Sequence, residues 1–178
     1  MEAHPDISKM LLNITTRHVI SKVIAKGQFD DKFVNNLLTT CVGFAVYFIF
    51  TKDLIPNNVE HKYMNNAIET CKKFGTMMVV KGILNGKKID TSFITSISNT
   101  LIGVCVYHLI IEKYLDENNF DKKIKELLFF LTKDIAVLLL SNKNIDVNSI
   151  DTSNLIGITI YNCLVQKYNV HYFHENFN

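Results

Sequence analysis

Apolar residues recur along this chain at helical spacing in six stretches, separated by short polar segments. The pattern predicts helices over 8–26, 31–52, 58–84, 90–115, 120–141 and 147–168. The second, fourth and sixth share a start. Each follows an apolar residue and an aspartate: Phe29-Asp30, Ile89-Asp90 and Ile145-Asp146. An aspartate there accepts from the free N–H groups of the first turn, and the apolar residue before it staples onto that turn. Asp30, Asp90 and Asp146 are therefore expected to be helix caps. The first, third and fifth stretches end in Gly or Asn with lysine, which are C-terminal signals.

Inside the Asp-capped helices one phrase recurs: "GFAVY" at Gly43–Tyr47, "GVCVY" at Gly103–Tyr107 and "GITIY" at Gly157–Tyr161. Past the tyrosine, "YHLIIEKY" matches "YNCLVQKY" in frame, while "YFIFTKDL" keeps an aromatic and the lysine with a slip. The expected fold is all-α: three helical hairpins, about six helices, related by an internal repeat and packed as one domain over 1–178. The units run about 8–52, 58–115 and 120–168, followed by an aromatic tail at 169–178. Glycine inside a helix costs about 1 kcal/mol relative to alanine, so three at matching places suggest a use. Gly and Tyr at i and i+4 share a face. The glycine leaves a notch for a neighbouring helix and the tyrosine fills the space beside it. A ligand notch is the sharper alternative.

Composition agrees with helices. Only 7 glycines and 2 prolines punctuate 178 residues, and 48% of the chain is hydrophobic. The most apolar run, Leu37–Phe50, is about 14 residues, short of the roughly 20 that span a bilayer. It reads as a core helix, with membrane insertion as the competing reading. The opening "MEAHPDISKM" lacks a basic region followed by an apolar run, so secretion is not expected. Cys41, Cys71, Cys105 and Cys163 have no metal or redox spacing and read as free thiols in a reducing compartment.

Reactive patterns are missing. The sequence holds no phosphate-binding glycine loop, nucleophile elbow or H-E-x-x-H, so no enzyme, cofactor, catalytic or metal residue, or small-molecule substrate is expected. His108 reads as a satisfied, partly buried imidazole. His171 and His174 stand three apart near Glu175, without a third ligand type at metal spacing. Net charge is +2, and arginine occurs once, at Arg17. The lysines of the second and third units (Lys72, Lys81, Lys87, Lys88, Lys122, Lys125 among them) read as a solvated face matched by acidic neighbours, which argues against nucleic acid. Tyr168, Tyr172, Phe173 and Phe177 crowd the last residues. Such aromatics pack either on the body or on a partner; partner binding is the functional reading.

The segments "GFAVYFIFTK" and "GVCVYHLIIEK", in a small Asn/Lys-rich chain, resemble small virion proteins of nucleocytoplasmic large DNA viruses. That resemblance implies a minor capsid or capsid-associated protein, lying under the shell near an internal membrane. Helical faces and lack of catalysis imply a non-enzymatic structural or assembly protein that binds other structural proteins or itself, in a virion or the host cytoplasm. A small membrane-associated helical protein and a soluble host-interaction adaptor are the alternatives.

Overall fold

The computed structural model describes residues 5–54, 59–142, 150 and 152–161. They form six helices and, among the described residues, no strand. These are α1 (Pro5–Ile24), α2 (Asp31–Thr51), α3 (Lys62–Leu84), α4 (Thr91–Glu117), α5 (Lys122–Leu140) and α6 (Thr152–Ile160).

The starts of α2 and α4 follow from their aspartates. Asp30 accepts from the Phe33 N–H at 2.8 Å, and Asp90 from the Phe93 N–H at 2.9 Å and the Ser92 hydroxyl at 2.7 Å. Phe29 meets Phe33 edge to face at 5.2 Å, so the residue before the cap closes onto the first turn. Asp121, which the sequence pattern does not single out, caps α5 by accepting from the Lys123 N–H. Asp146 lies outside the described residues; α6 begins at Thr152. The sequence offers a second apolar-aspartate pair, Ile150-Asp151, and the helix starts directly after it. The predicted start of the third helix at 58 is also early: α3 begins at Lys62, behind a His61 that makes no side-chain cap.

At the other ends the chain turns left-handed at Lys26 (φ 49°), Gly86 (φ 65°) and Asn142 (φ 51°), stopping α1, α3 and α5. Gly27 N–H then reaches the Lys22 carbonyl, and Lys87 N–H the Gly82 carbonyl, closing the otherwise orphaned acceptors.

Each glycine-bearing helix has one main neighbour: α2 packs chiefly on α3, α4 on α5, and α6 on α1. Each glycine-bearing helix thus packs more closely on another odd-numbered helix than on the one directly before it. The expected hairpin units share fewer contacts, because the glycine notch, not the short loop, decides which helix can come nearest. With α1–α2, α3–α4 and α5–α6 also touching, the contacts run round the molecule and close from α6 back onto α1. A cleft of about 850 Å³ opens between α1, α3 and α5, bordered by α2 and α4.

Candidate functional site

The three notches are filled by protein. A Cβ on Gly43 would lie 2.8 Å from the Met77 carbonyl oxygen, and one on Gly103 would lie 3.0 Å from Lys133 Cα. One on Gly157 would lie 3.1 Å from the Arg17 carbonyl oxygen. Backbone of a neighbouring helix lies directly against each of these glycines. The tyrosines one turn on are buried, with 1%, 4% and 5% exposure at Tyr47, Tyr107 and Tyr161. The Tyr107 hydroxyl donates to the Lys125 carbonyl at 2.7 Å, and its ring stands edge-on to Phe129. Burial first, then the carboxylates of Glu112 and Asp116, push the Tyr107 phenol up from its usual range.

Directly at these tyrosines α2 and α4 widen into single π turns, Tyr47–Thr51 and Tyr107–Ile111. Such bulges cluster at functional sites. In α4 the bulge carries His108 into the central cleft, where its Nδ1 lies 2.6 Å from Glu112 Oε2. Asn66 of α3 donates to the same carboxylate at 3.1 and 3.2 Å. His108 Nε2 is buried without a hydrogen-bond partner, as is Asn13 Oδ1 across the cleft. The imidazole is therefore held on one side only, a departure from the fully satisfied histidine the sequence suggests.

Arg17, the chain's one arginine, reaches across the same cleft. Its Nη1 lies 3.2 Å from Glu126 Oε1, and its guanidinium sits 4.3 Å from the centre of the Phe130 ring. Burial pulls the arginine below its ordinary value, and Glu126 works against that. Arg17 and Glu126 are 109 positions apart in sequence, so no local pattern pairs them. The only signal was a lone guanidinium inside an apolar helical stretch. The Asn66–Glu112 hydrogen bonds tie α3 to α4, and the Arg17–Glu126 pair ties α1 to α5 beside the cleft. No nucleophile stands against the imidazole in any contact described, and no group of three metal-ligating side chains gathers among the described residues.

The outer surfaces carry a different chemistry. On α2, Val34, Leu38 and Val42 recur four apart and are all exposed, Leu38 by 58%. On α4, Ile94, Ile102 and Ile110 recur eight apart and are exposed, Ile110 by 65%. Ile156 extends the theme to α6. Each helix thus buries its glycine-tyrosine face and turns a second apolar face outward. The sequence pattern, read only for one buried face, misses this. Tyr168, Tyr172, Phe173 and Phe177, with His171 and His174, lie outside the described residues.

No protein-family model, curated protein or solved structure matches the chain.

Proposed function

We propose that this chain is a non-enzymatic assembly protein that binds other structural proteins, its own copies included, through the outer faces of α2 and α4. The observation behind this reading is the exposed row Val34, Leu38, Val42 with its counterpart Ile94, Ile102, Ile110. Apolar side chains at one- or two-turn spacing on an open helix face favour a partner helix or groove. The resemblance of "GFAVYFIFTK" and "GVCVYHLIIEK" to virion proteins makes a capsid-associated layer the setting, in particle or host cytoplasm. The aromatic tail at 169–178 adds anchors of the kind that dominate interfaces.

The test is sedimentation of the whole chain beside a Leu38→Glu/Ile110→Glu variant. Both positions are exposed, so the variant folds with an unchanged helical spectrum. Assembly, with itself or with copurifying structural proteins, is expected to fall by at least an order of magnitude. A variant that assembles normally removes this reading.

A bilayer is the second candidate for the same faces. Asp31–Thr51 and Thr91–Glu117 are each long and apolar enough to cross a membrane, and only 28% and 33% of the apolar windows is buried. Against spanning, Asn35 and Asn36 are exposed on α2. Flotation with phospholipid vesicles separates the two: a chain that floats with vesicles and stays monomeric without them favours the membrane.

A further inference from the structure

The lysines are not all matched by acids. Six of them (Lys22, Lys32, Lys81, Lys87, Lys88 and Lys133) line one crevice of about 1180 Å³, where the C-terminal ends of α1 and α3 meet the first turns of α2 and α4. Two carboxylates share the lining, Asp30 and Asp90. The lining therefore carries a net +4, whereas the whole chain carries +2 and everything else sums to −2. Charge is concentrated here, not spread over a solvated face.

The two acids are already engaged. Each caps its helix by accepting a backbone N–H, and Asp90 also takes the Ser92 hydroxyl. Of the six lysines only Lys133 is in an ion pair among the described residues, with Asp134 at 2.6 Å. Lys22 stands over the Phe33 ring at 5.4 Å. Lys81 is half-buried with Lys87 as its charged neighbour. Burial first, then that like charge, pulls Lys81 below the ordinary lysine value. Like charges gathered in a concave site in excess of their counter-charges raise the local concentration of anions.

We propose that this crevice binds a compact, multiply charged phosphate anion. One unit charge cannot offset +4, and lysine ammonium groups bind phosphate as point charges from several directions. The concave shape favours a short polyphosphate over an extended strand, whose backbone needs a continuous groove. None of the six outer-row residues lines the crevice, so the proposal does not depend on the assembly reading.

The experiment titrates inorganic tripolyphosphate into the full chain at fixed ionic strength, following the thermal midpoint and the heat of binding. A saturable rise in midpoint is expected, with NaCl at matched ionic strength giving none. Lys81→Gln and Lys87→Gln are each expected to weaken binding about tenfold, the scale of one lost charge-assisted hydrogen bond. Lys113→Gln, whose side chain is on exposed α4 surface outside the crevice, is expected to leave binding unchanged. If Lys81→Gln does not fold, the exposed pair Lys87→Gln/Lys88→Gln takes its place. No saturable response, or one that survives these substitutions, overturns the site. A single-stranded oligonucleotide that binds more tightly per phosphate than tripolyphosphate overturns the compact ligand.

Discussion

Gly43 lies against Met77 so closely that a Cβ added to the glycine would sit 2.8 Å from the methionine carbonyl oxygen and 2.9 Å from its Cα. Both atoms are backbone, so α3 itself would have to move. Gly103→Ala could stabilise only if its neighbour had slack. The Lys133 backbone at 3.0 Å leaves none. Gly43→Ala is expected to destabilise: overpacking costs about 1–3 kcal/mol and the gain in helix propensity returns about 1. Gly75, also inside α3, meets nothing nearer than the Leu101 side chain at 3.9 Å. Gly75→Ala is expected to stabilise by up to about 1 kcal/mol. Urea unfolding of the two variants gives opposite signs.

Tyr107→Phe removes one hydrogen bond and keeps the ring against Phe129. The expected loss is about 1 kcal/mol. A loss several times larger in a denaturant melt would mean that the hydroxyl holds the π turn itself in place.

Acid sensitivity is expected to centre on Asp116 and Asp90. Asp116 holds Lys125 at 2.6 Å and Lys62 at 2.5 Å. The hydrogen bond from Lys125 first, then that from Lys62, brings its carboxyl down to about 2 from 3.8. The Ser92 hydroxyl, then the Phe93 N–H, lower Asp90. A carboxyl depressed in the folded state stabilises above its unfolded value, and that contribution fades as pH falls through the folded value. Stability should therefore drop between pH 3.8 and about 2. Asp116→Asn should flatten that slope, which thermal melts across the window measure.

Cys71 and Cys105 face each other across α3 and α4 with their sulfurs 3.7 Å apart. Burial, then the neighbouring thiol, pushes Cys71 up to about 12. The thiolate is the reactive form, so Cys71 should alkylate with iodoacetamide far more slowly at pH 8 than a free peptide thiol. Mass spectrometry of labelled peptides reads this. Urea should restore the ordinary rate.

Local chemistry was legible in the sequence and partner choice was not. Asp30 and Asp90 announce their helices because a cap acts within three residues of itself. The buried fate of Gly43, Gly103 and Gly157 with their tyrosines was readable from i, i+4 spacing. Which helix fills each notch was not, since Met77, Lys133 and Arg17 carry no mark that pairs them with glycines elsewhere. Bulging at Tyr47 and Tyr107 has no local residue signature, and the Arg17–Glu126 pair exists only once α1 and α5 are both in place. The lysine crevice was hidden for a related reason. Lys22, Lys81 and Lys133 are spread along three helices, and only the fold gathers their charges.

The seating of α6 on α1 sets the order in which the molecule can be made. Gly157 and Arg17 are 140 positions apart, whereas Gly43 and Met77 are 34 apart and Gly103 and Lys133 are 30 apart. The inner two pairs can form as soon as their own segments leave the ribosome. α1 cannot find its glycine partner until nearly all the described chain has been synthesised. Bringing such distant segments together carries the larger entropy cost and slows folding. During that wait α1 offers its unfilled face to any apolar neighbour, and two nascent copies could close the ring on each other by exchanging their first helices.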